Sequence, residues 1–332
     1  MKKLFLSLVA LMVAAMSYAQ GSLLATLSHA GKITTYYGAQ ALSEAHAAAA
    51  NGDVITLSSG TFNSIDITKA VTIRGAGMEV DSVSGVLPTI ITGDFNINIS
   101  NPGNYKLTLE GIYHNHKLSY YNNPITNPMF LKCRLGEITG NSGNLINASF
   151  IHCKISKRFL LAGSCSASCV NCVIVDPQSS SWESSNFEIA NCILIISTGD
   201  IGWIYSSSIR NSILYDTNTA HWVHESTTTF NNIAFTNGTF KMSPNKTNKI
   251  VSKLSDVFKS FTGTYNDNES FELKDTAKKN YLGTDGKEVG IYGGSLPFDP
   301  IPSNPQITKC NVAAKSTADG KLSVDIEVNG AK

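Results

Sequence analysis

A repeat of about 20 residues constrains the fold of this chain more than any other feature. Pairs at one repeat position follow each other at intervals of 20 residues, and two earlier pairs fit the same frame with steps of 19 and 20. A fixed period near 20 residues is typical of a solenoid, in which each rung buries its apolar face only by stacking on its neighbours. The pairs are Lys132-Cys133, His152-Cys153, Asn171-Cys172, Asn191-Cys192, Asn211-Ser212 and Asn231-Asn232.

Two apolar columns become visible when the rungs are aligned on the Cys/Ser position. We expect both columns to stack in the interior, where each buried aliphatic side chain stabilises the fold by about 1.5–3 kcal/mol. One column lies three residues before that position and the other two residues after it: Phe130, Phe150, Cys169, Ile189 and Ile209, then Leu135, Ile155, Ile174, Leu194 and Leu214.

The asparagines and cysteines of the repeat predict structural roles. Asparagine tolerates the left-handed conformation of a tight turn, and its amide can hydrogen-bond to the neighbouring rung. Four of the seven cysteines occupy the repeat position, which indicates buried stacking. Neighbouring rungs lie about 4.8 Å apart, so the distance also suits a disulfide between stacked cysteines.

The N-terminus has the pattern of a signal peptide, which we assign to residues 1–19. Lys2 and Lys3 precede an apolar stretch, and Ser17-Tyr18-Ala19 is a small-residue cleavage site. We predict cleavage near Ala19 and a protein that is secreted, periplasmic or held at the outer cell surface. No other apolar run in the sequence approaches the length of a transmembrane segment.

The remaining chain divides into three parts by composition. Residues 20–38 form a lead-in, residues 39–296 a β-helix, and residues 297–332 a Pro-rich connector with a C-terminal strand. The β-helix begins with an Ala-rich helix over residues 40–50, which ends at Asn51-Gly52. Short bursts of alternating apolar and polar residues follow, each closed by Gly or Ser, as expected of strands with one buried face.

These features carry a resemblance to a known family. A short helix, the stretch from Gly52 to Phe62 and the stretch from Ile67 to Gly77 resemble the N-terminal cap and first rungs of right-handed parallel β-helix proteins. That is the superfamily of pectate and pectin lyases, and the phrase from Val289 to Gly294 resembles secreted members from Bacteroides-like bacteria. The resemblance implies an all-β, single-stranded, right-handed parallel β-helix with a short N-terminal capping α-helix. It implies no particular activity, since such solenoids carry lyases, hydrolases and non-catalytic proteins.

One stretch departs from the strand pattern. Between His114 and Pro128 the alternation breaks, and the run of tyrosine, asparagine and proline predicts a long loop leaving the solenoid.

The net charge and the spacing of two aspartates argue against nucleic-acid binding and against one calcium site. A formal net charge of +1 gives no reason to expect nucleic acid as a partner. We expect no cofactor, and the sequence shows no clear metal site, although calcium binding stays open. Asp176 and Asp216 share a column but Ile196 occupies the rung between them, so they lie too far apart for one calcium ion with ligands at about 2.3–2.6 Å.

An aromatic column is the strongest functional signal in the sequence. Trp182, Trp203 and Trp222 fall 10 or 11 residues after the Cys/Ser position of successive rungs, and Tyr205 accompanies them. The row either packs in the interior or lines an outer face. An outer row beside ionisable groups suits an extended sugar chain, because pyranose rings stack on tryptophan and a solenoid offers a long flat surface.

Candidate catalytic residues lie near this column. A lyase needs a base and a positive group beside the uronate, whereas a hydrolase needs two carboxyl groups at a suitable separation. Glu183 and Glu225 lie two rungs apart, about 10 Å between backbones, which is compatible with an inverting pair. The candidates are Lys157, Arg158, Glu183, His221, His224 and Glu225.

The sequence therefore predicts an exported monomer that interacts with extracellular or cell-surface polysaccharide through an outer face of the solenoid. A polysaccharide lyase or glycoside hydrolase is the first alternative. A non-catalytic surface or adhesive protein, whose rungs serve only as a spacer, is the second.

Overall fold

The structure is a computed structural model and describes residues 23–82, 84–121, 123–141, 144–161, 164–179, 186–196, 204, 207–216, 228–235, 247–303, 305–312, 319–321 and 323–329. The first elements in chain order are β1 (Leu24–His29), β2 (Lys32–Tyr37), α1 (Ala41–Ala48), β3 (Val54–Leu57), β4 (Gly60–Asn63), β5 (Asp66–Ile67), β6 (Thr72–Arg74), β7 (Thr89–Thr92), β8 (Phe95–Ile97), β9 (Thr108–Glu110), β10 (Ile112–Tyr121), β11 (Ile125–Thr126), β12 (Met129–Leu131), β13 (Arg134–Asn141), β14 (Leu145–Ile146) and β15 (Ala148–Ile151).

The later elements continue the same succession of short strands. They are β16 (Lys154–Leu161), β17 (Ser166–Val170), β18 (Val173–Val175), β19 (Pro177–Ser179), β20 (Asn186–Ala190), β21 (Ile193–Ile196), β22 (Ser208–Arg210), β23 (Ile213–Asp216), β24 (Thr228–Phe230), β25 (Ile233–Phe235), β26 (Lys249–Ile250), a 3₁₀ turn (Leu254–Asp256), α2 (Asp275–Asn280), β27 (Gln306–Val312) and β28 (Val324–Asn329).

The strands form two long sheets that confirm the predicted parallel β-helix. Sheet A has the order β2-β1-β3-β6-β9-β12-β15-β17-β20-β22-β24, and all pairings from β3 onward are parallel. Sheet B follows the order β26-β25-β23-β21-β18-β16-β13-β10-β7-β4. Three further strands belong to this sheet: β19 pairs with β16, β8 with β10, and β5 with β8. Each rung contributes one strand to sheet A and then one to sheet B.

The interior contains both predicted apolar columns, and every one of their side chains is buried. The rings of Phe130 and Phe150 stack in parallel with centroids 4.5 Å apart. Helix α1 buries Leu42 and three further residues against the first strands of the stack. The predicted capping helix is therefore confirmed, and it covers the end of the apolar core near the N-terminus.

The predicted loop between His114 and Pro128 is wrong over most of its length. Strand β10 continues to Tyr121, and Tyr120 is fully buried in the core. The alternation breaks in the sequence because the pairing of β10 with β13 shifts between His114 and Lys117. A bulge of this kind changes which side chains face inward without ending the strand.

The corner between the sheets is formed by residues in the left-handed conformation. Asn171, Asn191, Asn211 and Asn231 have φ between +50° and +54°, as expected for asparagine, and Lys132 and His152 adopt the same conformation. We call these six residues the corner row.

The Cys/Ser column that follows the corner row forms a hydrogen-bond ladder. The backbone N–H of Cys153 donates to Sγ of Cys172 at 3.4 Å, and that of Cys172 donates to Sγ of Cys192 at 3.4 Å. The backbone N–H of Cys192 donates to Oγ of Ser212 at 3.0 Å. Each side chain thus accepts a buried N–H from the preceding rung, which an apolar residue could not do.

The buried cysteines that the structure describes are thiols rather than disulfides: Cys133, Cys153, Cys165, Cys169, Cys172 and Cys192. Burial raises the pKa of Cys133, Cys153, Cys169 and Cys172 well above the ordinary value, which keeps them protonated and unreactive.

Residues 251–303 run back along the outside of the solenoid, and we call them the return segment. Its first half forms a second apolar cluster with the outer face of sheet B. Val173, Ile193 and Ile213 of sheet B are buried in this cluster, together with Phe258 and Phe271 of the return segment. The outer face of these rungs is therefore a second core.

The second half of the return segment binds the corner row. Nδ2 of Asn171 donates to the carbonyls of Ile291 and Gly293, and Asn211 exchanges two hydrogen bonds with Thr284. The asparagine amides of Asn171 and Asn211 thus face outward, and the expectation that they bind the neighbouring rung is wrong for them. The contacts continue toward the N-terminus through His152 with Leu296, Lys132 with Asp299, and Glu110 with Ser303.

The final strands form a separate antiparallel pair, β27 with β28. The division of the chain into domains at residues 38 and 296 stays a prediction. No helix in the described part of the chain has the length and apolarity that crossing a membrane requires.

The ladder predicts an asymmetry between two substitutions of Ser212. Ser212→Ala removes the acceptor for the buried N–H of Cys192 and should lower the free energy of unfolding by about 1–3 kcal/mol. Ser212→Cys keeps an acceptor, as in the preceding rungs, and should lower it clearly less. Denaturant titration measures both. Equal losses for the two variants would contradict the ladder.

Candidate functional site

Most of the predicted site residues lie outside the described residues, so their exposure and neighbours stay predictions. These are Trp182, Trp203, Trp222, Tyr205, Glu183, His221, His224 and Glu225. The structure describes only two of the candidates, Lys157 and Arg158.

Lys157 and Arg158 are exposed on β16, next to the bulge in sheet B. Nζ of Lys157 donates to the carbonyl of Asn115 at 2.8 Å, and Arg158 pairs in register with Glu137 on the neighbouring strand. Asn115 and His116 form the exposed bulge of β10. We call these five residues the bulge cluster. Bulges commonly re-aim side chains at functional sites.

His114 lies directly inside the bulge cluster and is fully buried. One ring nitrogen, Nε2, binds the carbonyl of Gly93 at 2.8 Å, and Nδ1 has no partner among the described residues. Burial lowers the pKa of His114 to about 4, since the charged imidazolium is poorly solvated there. It is therefore neutral at pH 7 and donates to Gly93 through Nε2.

A large cavity lies between the outer face of sheet B and the return segment. Its volume is about 520 Å³, within the range of small-molecule sites. It opens where the outward-facing row of side chains on sheet B changes from charged to apolar. In register, this row consists of Ile90, Tyr113, Arg134, Lys154 and Val173. The cavity is lined by Met78, Glu79, Val80, Ser82, Pro88, Ile90, Tyr113, Arg134, Lys154, Asp267, Asn268, Glu269, Ser270, Ile291, Tyr292, Phe298 and Pro300.

Two cations on neighbouring strands form the floor of the cavity. The side chain of Arg134 is only 10% exposed and forms an ion pair with Asp267. Its guanidinium carbon lies 4.2 Å from the ring centroid of Tyr113, in a cation–π arrangement. Nε of Arg134 is buried and has no partner among the described residues. The guanidinium is thus held against the cavity floor with one donor unpaired among the described residues.

Lys154 is the second cation, and its side chain is 6% exposed. Nζ of Lys154 binds Oε2 of Glu79 at 2.8 Å and lies 5.6 Å from the ring centroid of Phe298. A buried charge needs such a partner, because desolvation otherwise costs several kcal/mol. The ion pairs with Asp267 and Glu79 therefore fix the cavity walls to its floor.

Two phenols of the return segment add neutral donors near these charges. Burial raises the pKa of Tyr265 and of Tyr292 to about 12. The hydroxyl of Tyr292 donates to the carbonyl of Ser270 at 2.7 Å, whereas that of Tyr265 has no partner among the described residues. The arrangement suits the binding of a ring with several oxygens, through aromatic faces and fixed donors.

The described residues contain no group of three His, Cys, Asp or Glu side chains that could hold a metal ion. Comparisons with known proteins found no matching family model, no matching curated protein and no matching solved structure. The resemblance to pectate and pectin lyases therefore extends to the β-helix fold alone.

Sequence reasoning missed Arg134, Lys154 and Tyr113. A signal was present, since Arg134 and Lys154 directly follow Cys133 and Cys153 where later rungs have Val173 and Ile193. The return segment packs closely on the rungs with apolar residues at this position. Over the rungs with Arg134 and Lys154 it leaves the cavity. The opposite wall, with Glu79 and Asp267, comes from distant parts of the chain and left no such trace.

His114 should make stability depend on pH in a defined window. Its pKa is about 4 in the folded protein and near the ordinary value of 6.5 in the unfolded chain. The unfolded state therefore binds more protons between these values, and the free energy of unfolding falls as pH drops from about 6.5 to 4, by at most about 1.4 kcal/mol per pH unit. His114→Gln should flatten this dependence in denaturant titrations. His116→Gln, at the exposed neighbour, should alter it much less, because burial is the largest cause of the lowered pKa of His114 and the charge of His116 a smaller one. An unaltered slope in His114→Gln would refute the assignment.

The buried ion pair of Lys154 with Glu79 should stabilise the fold more than the exposed pair of Lys259 with Glu272 on the return segment. Glu79→Gln leaves a buried ammonium without its counter-charge and should lower the free energy of unfolding by about 2 kcal/mol. Glu272→Gln breaks the exposed pair with Lys259 and should have little effect, because both partners are hydrated. Thermal and denaturant unfolding measure the difference. A harmless Glu79→Gln would show that the pair does not hold the cavity wall.

Proposed function

We propose that this chain is an exported β-helix protein that binds extracellular polysaccharide, with the cavity on sheet B as a sugar-binding subsite. Export follows from the signal peptide predicted at residues 1–19, and a place in the pectate lyase superfamily is part of the proposal. The observation that carries it is the cavity of about 520 Å³, which combines aromatic rings with buried charged groups.

The composition of the cavity favours a sugar over an apolar ligand. Tyr113, Tyr292 and Phe298 supply ring faces, and Arg134 supplies a buried donor with no partner among the described residues. Sites for small molecules join apolar surface to a few well-placed polar groups in this way. The groups are held by ion pairs and packing, so little ordering is needed on binding.

The tryptophan row is a second, separate part of the proposal. Trp182 follows β19 and precedes β20, so by its chain position it belongs to the connection from sheet B to the next strand of sheet A. The cavity instead lies at the start of sheet B strands. A polysaccharide that used both would cross the outer surface of the rungs. The row and the cavity are therefore tested by separate variants.

A polysaccharide lyase is the second candidate, and the bulge cluster favours it. The ammonium of Lys157 binds the carbonyl of Asn115, next to His116 in the same bulge. Exposed lysine, arginine and histidine side chains there match the needs of a lyase, a base and a positive group that stabilises the developing charge on the substrate carboxylate. A non-catalytic spacer protein is the remaining alternative.

The proposal predicts binding to at least one member of a panel of acidic and neutral polysaccharides. Arg134→Lys keeps the charge but loses the planar guanidinium, and should weaken binding about tenfold while the fold is retained. Arg210→Lys, the same change on sheet A, should not alter affinity. Isothermal titration measures affinity, and circular dichroism checks the fold.

The same panel separates the alternatives. Unsaturated products would establish a lyase and new reducing ends a hydrolase, and loss of either with Lys157→Ala would place the reaction at the bulge cluster. Trp203→Ala tests the tryptophan row independently. Absence of binding to every glycan would refute the proposal and leave the spacer function.

A further inference from the structure

Strand β2 is an exposed sheet edge at the N-terminal end of the solenoid. Among the described residues it pairs only with β1, and it ends the strand order of sheet A. Its sequence from Lys32 to Tyr37 is rich in threonine, tyrosine and isoleucine, which favour strands. Ile33 is 75% exposed and Tyr37 66% exposed, the two highest values among the described large hydrophobic residues. Such an edge is a template for pairing with another strand.

The register of the β1–β2 hairpin determines which backbone groups face this edge. His29 and Lys32 flank the two-residue turn Ala30-Gly31, and the N–H of Gly38 donates to the carbonyl of Leu23 at 2.8 Å. In an antiparallel pair, hydrogen-bonded and non-hydrogen-bonded positions alternate. Positions 32, 34 and 36 therefore bond to β1. The N–H and C=O groups of Ile33, Thr35 and Tyr37 point to the open edge.

These outward groups match their own copy about a twofold axis. An antiparallel partner must place residues 33, 35 and 37 opposite residues of the same set. The pairing centred on Thr35 puts Ile33 opposite Tyr37 of the second copy and Thr35 opposite Thr35. About six backbone hydrogen bonds form in this arrangement.

Side chains and charges favour the same pairing. Ile33 and Tyr37 lie on the same face of β2 because they are separated by an even number of residues. The twofold pairing brings each of them against the other on the outer face, which buries the two most exposed apolar groups. Lys32 lies opposite Gly38 rather than another lysine, so no like charges meet across the strands.

We propose that β2 pairs with β2 of a second copy, which joins sheet A of two molecules into one continuous antiparallel junction. The dimer differs from the monomer expected from sequence, and it is independent of the proposed polysaccharide binding. The interface is isologous, so it closes at two copies. The chemistry of the partner is thus that of this chain itself.

A symmetric crosslink tests the register. All variants are made in the mature chain starting at Gln20, with Cys310→Ser as a background substitution. Thr35→Cys then places one cysteine of each copy at a hydrogen-bonded pair, with Cα atoms about 5.5 Å apart, a distance that a disulfide spans. Thr34→Cys is the matched control, because its two copies lie diagonally at about 7–8 Å. Mild oxidation should give a covalent dimer with Thr35→Cys and clearly less with Thr34→Cys.

A charge at the same position tests the association without crosslinking. Thr35→Lys places two ammonium groups opposite each other and should weaken dimerisation at least tenfold in sedimentation equilibrium. Ser28→Lys adds the same charge on β1, away from the edge, and should leave the dimer intact. A wild-type chain that sediments as a monomer at all concentrations would overturn the proposal. Preferential crosslinking of Thr34→Cys would overturn the register.

Discussion

The left-handed corner between sheet A and sheet B determines both the interior and the exterior of this solenoid. At the corner each rung changes direction, and the next backbone N–H faces the interior instead of the regular strand ladder. In five described rungs that N–H is accepted by the side chain one rung further on, at Cys172, Cys192, Ser212, Asn232 and Asn248. A buried N–H without an acceptor would cost about 1–3 kcal/mol, so the repeat position retains sulfur or oxygen and excludes aliphatic residues.

The same corner also organises the outside of the molecule. The side chains of the corner row project away from the core, and those of Asn171, Asn211, His152 and Lys132 hold successive points of the return segment. These hydrogen bonds hold the return segment over sheet B. Where it covers apolar rungs it forms a second core, and where it meets Arg134 and Lys154 it forms the cavity. The candidate site is therefore a consequence of the corner geometry.

The repeat period was sufficient to predict the stack, the interior columns and the left-handed asparagines, because all three are consequences of one local pattern. It was insufficient for β10, whose bulge at His114 imitates the start of a loop. The outward direction of the Asn171 and Asn211 amides was also missed, because their partners lie 73 to 122 residues away in sequence. Long-range docking of a non-repetitive segment leaves no periodic signal, and the walls of the cavity depend on it.

Hydrogen exchange in the return segment measures how firmly the corner row holds it. The N–H of Thr284 donates to Oδ1 of Asn211 at 3.0 Å, and the N–H of Gly290 donates to the backbone carbonyl of the same residue at 2.8 Å. Exchange of these two amides, followed by NMR or on peptides spanning 282–298, should be slowed to a degree comparable with the strands of sheet B. Exchange at the rate of an unstructured peptide, while the strands remain protected, would show that the corner row does not hold the return segment.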